Sequence, residues 1–456
     1  MKKQIWTLLL LIVAVPAAAQ RTAPQLIEMA RRGGAGFQQA LVETLGQENI
    51  QKGTAFLGEG ESFLWAVESA DRPALLLNGD PGPALLQIEG SNIWYTAGDL
   101  TEGTSHEFVY MIRGQRFGGS KNVPAYGPDS YAQDGVPKGK LSEQFVHTST
   151  AVYPGLRSNY WVYVPAQYDP GEPAALMVWQ DGHNYNQRDG NIRLLDVVDN
   201  LIHQEEIPVM IQVFVSPGDI TQAPESTTYK EVMTEVERRA ARFRGRGRGG
   251  RGGPRDLTRM VPNTMRSIEY DTVSDRYARF LRDELLPEIE AKYNIRKDGY
   301  SRAIAGLSSG GICAFNVAWQ QPGQFSRVLS WIGSFVALIP EPDWGGQAFP
   351  AKVQNEEKRN IRVWLQDGAE DNLGWPEQNI QLANSLKRAG YDFHFSYGVG
   401  THSPAQGSAE LPQSLIWLWR DYDPNLTQQE YVQDEDEQEK PYFRFQIHNR
   451  DHDADY

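Results

Sequence analysis

The sequence predicts an α/β fold with a mostly parallel central sheet, preceded by a small N-terminal β-sandwich. Between residues 55 and 119, short strand-like segments are separated by Gly, Pro, Asn and Asp, which is the pattern of a small antiparallel sandwich. From residue 141 onward, almost uniformly apolar segments such as AALMVWQDG and IPVMIQVFVSPG alternate with helical stretches. Apolar segments of this kind are typical of strands buried on both faces of a parallel sheet.

The order of these segments predicts the domain organisation. Four parts follow an N-terminal targeting segment: a helical lead-in over residues 21–54, the β-sandwich with a Pro- and Gly-rich linker over 55–140, the α/β domain over 141–424 and an acidic tail over 425–456. In the lead-in, Gly33 and Gly34 interrupt apolar side chains at helical spacing, so we expect two short helices or one broken helix.

The first twenty residues, MKKQIWTLLLLIVAVPAAAQ, have the pattern of a signal peptide. Lys2 and Lys3 precede an apolar run, and Ala17 to Ala19 fit a small-residue cleavage site. The run is shorter than the ~20 apolar residues that span a bilayer, although an uncleaved anchor is the alternative. We therefore expect a periplasmic or secreted protein that is not inserted in the membrane after cleavage.

Composition excludes several kinds of protein. The chain of 456 residues carries a net charge of -14, so it has no general electrostatic attraction to nucleic acid, and no nucleic-acid partner is expected. Its single cysteine, Cys313, excludes an internal disulfide and a thiolate metal cluster. The H-E-x-x-H motif is absent, and no other metal-ligand spacing is found. We expect no metal and no cofactor.

Two charged segments lack apolar side chains that could form a core. The Arg- and Gly-rich insert at 237–260 predicts a solvated surface loop, or alternatively a basic lid that attracts anionic substrates. The tail over 425–456 is rich in Asp and Glu and predicts a solvated extension that could pair with this insert.

A Gly-x-Ser-x-Gly motif, Gly306 to Gly310, lies between a short apolar strand, RAIA, and a helical stretch, SGGICAFNVAWQQ. A sharp turn between strand and helix is the context in which such a motif exposes a nucleophilic serine. The glycine spacing favours Ser308 as the nucleophile, with Ser309 as the rival. The backbone N–H of Ser309, at the start of the helix, is expected to face a developing oxyanion.

A serine nucleophile needs a base and an orienting acid, which follow in the order Ser, Asp or Glu, His in this architecture. The loop after the buried strand IRVWLQDG offers Asp371 as the acid, with Glu370 as the alternative. Asp367 closes the strand and is expected to cap the turn. His402, in the loop after the last predicted strand, is the candidate base. Both loops lie at the carboxyl edge of a parallel sheet, where active sites form.

The loop after the strand AALMVWQ is expected to supply the second oxyanion donor. Gly182 lets backbone amides approach a substrate, so we expect the N–H of Gly182 or of His183 to contribute. The His183 side chain either lines the substrate pocket or has a structural role.

Seven segments resemble the enterochelin esterase-like branch of the putative esterase family, over about residues 141–422: VWQDGHNY, VFVSPG, RSIEYDTVSDRYARFLRDELLPEIEAKY, AIAGLSSGGICAFNVAW, IGSF, LQDGAEDN and GTHSPAQGSAELPQSLIWLW. The resemblance implies the α/β-hydrolase fold, often with an N-terminal immunoglobulin-like module. It also implies Ser308 as nucleophile and His402 as base, with the acid in the loop at 367–371. In RSIEYD, Arg266, Glu269 and Tyr270 would orient the substrate or brace the site.

The expected function is therefore that of an exported serine carboxylesterase acting on a small-molecule or glycan-linked ester. The resemblance leaves a siderophore-type ester and a feruloyl or acetyl polysaccharide ester as candidate substrates. An acyltransferase with the same three residues and a catalytically inactive glycan-binding relative are the alternatives. The sequence makes no prediction of the oligomeric state.

Overall fold

The computed structural model describes residues 21–33, 36–244, 257–338 and 345–444. The predicted signal peptide, residues 245–256 of the predicted insert and the last twelve residues of the predicted tail lie outside the described residues. None of the helices in the described part of the chain has the length and apolar character needed to cross a membrane.

The chain divides into two compact units. The first comprises the described residues up to Leu76, Asp80–Asp99 and Val109–Gly119. The second comprises Leu77–Gly79, Leu100–Phe108 and the described chain from Ser120 onward.

The N-terminal region contains the predicted helices and a β-rich part. Its helices are α1 (Ala23–Arg32), α2 (Phe37–Leu45) and α3 (Gln47–Lys52). Its strands are β1 (Ala55–Glu59), β2 (Ser62–Glu68), β3 (Ala74–Leu77), β4 (Asp80–Pro81), β5 (Leu86–Gln87), β6 (Ile93–Asp99), β7 (Thr104–Ile112) and β8 (Gln115–Ala125). They form two four-stranded sheets, one of them ordered β1-β2-β6-β5 with antiparallel pairs. The lead-in thus forms one helix before the Gly33–Gly34 pair and two short helices after it, and the immunoglobulin-like assignment stays a prediction.

The aromatic pair on β6 belongs to the packing of the first unit. Tyr95 is buried, and its ring lies 4.7 Å from that of Phe37, centroid to centroid. Trp94 Nε1 donates a hydrogen bond to the carbonyl oxygen of Ser69 at 3.0 Å. Tyr95 is therefore part of the core of this unit, and the half-buried Trp94 is hydrogen-bonded to the residue that follows β2.

A nine-stranded sheet forms the centre of the second unit. Its strands are β9 (Lys140–Leu141), β10 (Phe145–Thr148), β11 (Arg157–Val164), β12 (Ala175–Gln180), β13 (Met210–Val215), β14 (Arg302–Leu307), β15 (Arg327–Trp331), β16 (Arg362–Gly368) and β17 (Asp392–Gly398). The order is β10-β11-β13-β12-β14-β15-β16-β17, with β9 paired to β11. The strands from β13 to β17 are parallel, and the antiparallel strands lie at one edge, so the sheet is mostly parallel as the apolar segments predict.

Helices cover both faces of this sheet. They are α4 (Leu194–His203), α5 (Thr227–Arg244), α6 (Val261–Tyr270), α7 (Arg276–Phe280), α8 (Leu286–Glu290), α9 (Ser309–Gln320), α10 (Phe349–Asn355), α11 (Trp375–Arg388), α12 (Ala405–Ala409), α13 (Leu411–Trp419) and α14 (Glu435–Glu439). On β12, Leu176 and Val178 belong to one apolar cluster, whereas Met177 and Trp179 belong to another. Because successive strand residues point to opposite faces, the two clusters are the two layers of the core.

The helical segment between α7 and α8 contains a π-helical turn at Leu281–Leu285, next to Pro287, which lacks the amide hydrogen that a regular helical turn needs. The first part of the predicted insert, residues 237–244, is the end of α5, where Arg238 and Arg239 both pair with Glu235.

Most residues of the described part of the tail, 425–444, are exposed, but Tyr431, Gln433 and Glu437 are buried. Tyr431 is buried, and its hydroxyl lies 2.9 Å from Ser326 Oγ. Helix α14 places Glu437 against His394, 3.3 Å from its Nδ1. An aromatic side chain and an ion pair thus hold the tail, although its composition is strongly acidic.

Candidate active site

Ser308 stands at the turn between β14 and α9. Its backbone has φ 57° and ψ -120°, a conformation that residues other than glycine rarely adopt. Holding a residue in such a conformation costs about 1–3 kcal/mol of conformational strain. A β-carbon at Gly306 would collide with the carbonyl of Gly310, so the first glycine of the motif is required by close approach of the backbone. Neighbouring backbone groups hold the turn, because Ser308 N donates to Trp331 O at 2.9 Å and Ser334 N donates to Ser308 O at 3.1 Å.

The structure brings Ser308, His402 and Asp371 into one hydrogen-bonded chain. Ser308 Oγ lies 2.9 Å from His402 Nε2, and His402 Nδ1 lies 2.7 Å from Asp371 Oδ1. The Asp371 side chain is fully buried, whereas the His402 side chain is 25% exposed. A nucleophile, a base and an orienting acid need these contacts, and each side chain comes from the carboxyl end of a different parallel strand.

The geometry distinguishes the two candidate acids. Glu370 points away from His402 and forms an ion pair with Lys121, with 2.7 Å between Oε1 and Nζ. Asp371 accepts a hydrogen bond from the backbone N–H of Asn372 in addition to its contact with His402. Of the two candidates, Asp371 is therefore the one that contacts the imidazole of His402.

Asp367 has a larger role than the expected turn cap. Its Oδ1 does accept the N–H of Gly368 at 2.7 Å, as the capping role requires. The side chain is also hydrogen-bonded to Asp371, and burial, reinforced by the Asp371 carboxylate, raises the pKa of Asp367 well above its ordinary value. Of the two carboxyl groups, Asp367 is therefore the one whose protonated form its surroundings favour.

Ser309, the alternative nucleophile, is hydrogen-bonded to a carboxyl group outside the Ser308–His402–Asp371 chain. Ser309 is buried, and its hydroxyl is hydrogen-bonded to the carboxyl group of Asp271, which also accepts a hydrogen bond from Ser267 Oγ at 2.6 Å. Burial raises the pKa of Asp271 in spite of these hydrogen bonds. Ser309 is the first residue of α9, and the first amides of a helix lack intrahelical acceptors, so its N–H is free to serve as the expected oxyanion donor.

The predicted oxyanion loop is braced by the residues of RSIEYD. Asp181 has a positive φ of 56°, and its carboxylate accepts two hydrogen bonds from Arg266, at 2.8 Å and 2.6 Å. Tyr270 Oη accepts the backbone N–H of Asp181 at 3.2 Å. Gly182 follows, in a position where a β-carbon would collide with the backbone of Phe214. Arg266 and Tyr270 thus fix this loop, which favours bracing over substrate orientation.

Glu269 extends the same brace to the loop after β13. Its Oε2 accepts the N–H of Gly218 at 2.9 Å, and the side chain is buried. Burial raises the pKa of Glu269 to about 8, and the nearby Asp181 carboxylate adds to this effect. The His183 side chain is exposed and lies 3.0 Å from Ser216 Oγ through Nδ1, so it is anchored to this neighbouring loop.

Two neighbours of the triad were not predicted as site residues. Ser334, in the segment IGSF, is buried and its Oγ lies 3.2 Å from Ser308 Oγ. Trp375 stands edge-on to the His402 imidazole, with ring centroids 5.4 Å apart. Ser334 could have been suspected because a short segment after a parallel strand ends at the same edge of the sheet, but the approach of Trp375 depends on a loop conformation.

The described chain offers no site for a metal. Within the described ranges, no group of three or more His, Cys, Asp or Glu side chains is arranged to hold a metal ion. Cys313 is buried on α9, and burial raises the pKa of its thiol well above the ordinary value, so it is no candidate nucleophile.

The site can be compared with known proteins once this geometry is established. Residues 263–418 match the family model described as Putative esterase. The matched segment includes Ser308, Asp371 and His402. The match confirms the resemblance for the quoted motifs from RSIEYD onward, and with it the expectation of a carboxylic ester hydrolase.

Individual relatives are distant. An uncharacterized protein of Bacillus subtilis (strain 168), YjcH, is 20% identical over 250 residues, which cover 53% of this chain and 82% of that protein. The enterobactin esterase of Shigella flexneri aligns with a TM-score of 0.48 and 15% identity, over 79% of this chain and 94% of that one. A CE1 ferulic acid esterase of Anaeromyces mucronatus aligns with a TM-score of 0.42 and 14% identity, over 66% of this chain and 96% of that one.

Proposed function

We propose that this protein is an exported serine carboxylesterase of the α/β-hydrolase type, in which Ser308 is the nucleophile, His402 the base and Asp371 the acid. The observation that carries the proposal is the hydrogen-bonded chain from Ser308 Oγ through the imidazole to Asp371, with contacts of 2.9 Å and 2.7 Å. The strained turn at Ser308 and the match to an esterase family support it.

The reaction follows from these contacts. His402 Nε2 takes the hydroxyl proton as Ser308 Oγ attacks the ester carbonyl carbon, and the carbonyl oxygen becomes an oxyanion. Collapse of this intermediate breaks the bond to the alcohol, which leaves with the proton from His402. Water then attacks the acyl-enzyme with His402 again as base, which releases the acid and restores Ser308.

Backbone amides at two helix starts are the proposed donors to the oxyanion. The N–H of Ser309 begins α9, and the N–H of Gly182 or His183 begins the short 3₁₀ turn Gly182–Asn184 after β12. Each such donor is worth about 3 kcal/mol of transition-state stabilisation by comparison with other oxyanion holes. Because the donors belong to the backbone, this contribution survives side-chain substitution at Ser309 and His183, whereas a β-carbon at Gly182 would collide with the backbone of Phe214.

The proposed substrate is a siderophore-type ester or a feruloyl or acetyl polysaccharide ester. An exported enzyme meets both, and the two differ in chemistry: a catecholate trilactone favours basic side chains around the site, whereas a polysaccharide ester favours an accessory glycan-binding unit. The N-terminal β-rich region is proposed as an immunoglobulin-like module of that kind.

Hydrolysis of a small ester panel tests the proposal. Purified protein without residues 1–20 is assayed with p-nitrophenyl acetate, methyl ferulate, an acetylated xylan and a trilactone siderophore. We expect hydrolysis of at least one ester by wild type, its loss in Ser308→Ala, and its retention in the matched control Ser309→Ala, whose backbone amide is unchanged. Equal activity in wild type and Ser308→Ala would refute the assignment of the nucleophile, and wild-type inactivity on the whole panel would refute the proposed esterase.

A further inference from the structure

Two adjacent residues of β8 contact the residues that immediately precede the triad acid and base. Lys121 forms the ion pair with Glu370, next to Asp371. Asn122 exchanges two hydrogen bonds with Thr401, next to His402: its Nδ2 donates to Thr401 Oγ1 at 2.8 Å, and Thr401 N donates to its Oδ1 at 3.0 Å. We name this pair, Lys121 and Asn122, the clasp.

The two contacts of the clasp differ in strength. The Lys121 side chain is 41% exposed, and an ion pair so close to solvent contributes about 0–1 kcal/mol. The Asn122 contacts are partly buried, join positions 279 residues apart in the chain, and hold both a backbone amide and a side-chain hydroxyl. Each such hydrogen bond contributes about 1 kcal/mol. Asn122 is therefore the stronger half of the clasp.

The loops that the clasp contacts are also joined to each other. Ala369 N donates to Gly398 O at 2.8 Å, and Glu370 N donates to Gly400 O at 3.1 Å. These hydrogen bonds connect the segments that carry the acid and the base, whereas Ser308 stands at the turn between β14 and α9. These contacts do not set the position of Asp371 and His402 relative to Ser308. The hydrogen bonds between Asn122 and Thr401 can do so, because Thr401 is the residue next to His402.

We propose that Asn122 is a positioning residue for the triad: it holds the loop at Thr401 so that His402 Nε2 stays within hydrogen-bonding distance of Ser308 Oγ, with Lys121 supporting the acid loop. The proposal rests on the proposed function of these three residues. The hydrogen bonds of the Asn122 side chain go to Thr401 and not to Ser308, His402 or Asp371, so it acts through the loop that carries His402. A displacement of about 1 Å at a reacting group can cost about a hundredfold in rate.

The test compares Asn122→Ala with a conservative and a control variant. Asn122→Asp retains acceptors for both the N–H and the hydroxyl of Thr401. Asn384→Ala is the matched control, because Asn384 exchanges hydrogen bonds of 2.8 Å and 3.0 Å with the backbone of Phe443, away from the triad. The readouts are kcat and KM for p-nitrophenyl acetate, the rate of Ser308 labelling by a fluorophosphonate and the thermal midpoint.

We expect Asn122→Ala to lower kcat and the labelling rate by about tenfold or more with KM unchanged, Asn122→Asp to restore most of both, and Asn384→Ala to lose stability only. Thr401→Val, which removes only the hydroxyl contact, should lower kcat and the labelling rate by a smaller factor. This variant replaces Asn122→Ala in the test if Asn122→Ala does not fold. The proposed positioning role of Asn122 would be refuted if Asn122→Ala had the same kinetic constants as Asn384→Ala, or if it changed KM alone. A wild type that neither hydrolyses esters nor reacts at Ser308 would instead overturn the proposed function and the clasp with it.

Discussion

The choice between Asp371 and Glu370 gives the sharpest prediction for the proposed mechanism. The perturbation is a pair of matched amide substitutions, Asp371→Asn and Glu370→Gln, in neighbouring residues of one loop. Each keeps the size of the side chain and removes one carboxylate. Their expected effects differ widely because the two carboxylates have different partners in the structure.

The magnitudes follow from those partners. Asp371 is buried and lies 2.7 Å from His402 Nδ1, so it orients the imidazole and stabilises the imidazolium that forms. Loss of such a carboxylate costs about 10⁴-fold in kcat in other serine triads, or about 5 kcal/mol. Glu370 contacts the half-exposed Lys121, and loss of that ion pair removes about 1 kcal/mol at most, which is about fivefold in rate.

The assay measures kcat for p-nitrophenyl acetate across the pH range, with circular dichroism and thermal unfolding to show that both variants are folded. We expect a loss of several orders of magnitude for Asp371→Asn and of a few-fold for Glu370→Gln. A loss in Glu370→Gln as large as that in Asp371→Asn, in a folded protein, would refute the assignment of the acid.

Three further predictions rest on single contacts. Gly306→Ala should lower stability by about 1–3 kcal/mol and also lower kcat, since a β-carbon at this position collides with the backbone that shapes the turn; thermal unfolding and ester hydrolysis measure both. Ser309→Ala should keep kcat within about threefold but lower the free energy of unfolding by about 1–3 kcal/mol, because buried Asp271 loses a donor. Glu269 has its pKa raised to about 8 by burial, so the folded protein retains a proton that the unfolded chain releases above the ordinary value of 4.5. The free energy of unfolding should therefore fall as pH rises from about 4.5 to about 8, by up to about 5 kcal/mol, and urea unfolding of Glu269→Gln should lack this part of the slope.

The sequence predicts the central sheet and two triad positions because each rests on local chemistry. Apolar segments buried on both faces specify β12 to β16, and the strand–turn–helix around Ser308 needs no distant residue to be recognised. His402 follows from chain order, since the loop after the last strand must reach the edge of the sheet where Ser308 stands. These predictions depend on periodicity and order, which a single sequence contains.

The parts that escaped prediction depend on contacts between distant segments. Asn122 meets Thr401 across 279 residues, from a stretch that the sequence assigns to a linker. Likewise, nothing in an acidic tail indicates that Tyr431 inserts beside Ser326. The continuation of α5 to residue 244 was missed because the glycines that follow dominate the composition, although Glu235 provides local pairing for Arg238 and Arg239.

The ambiguity at the acid has a physical origin. Asp367, Glu370 and Asp371 lie within five residues, so chain length lets any of them approach the imidazole, and only the path of the loop decides. The hydrogen bonds from Ala369 and Glu370 to the loop after β17 set that path and turn Asp371 inward. Two carboxyl groups then lie buried in contact, and burial together with the Asp371 carboxylate raises the pKa of Asp367, which favours its protonated form. Asp367 thus caps the turn at Gly368 and also contacts Asp371, the proposed acid. The turn after β16 therefore combines a structural role with a proposed catalytic role.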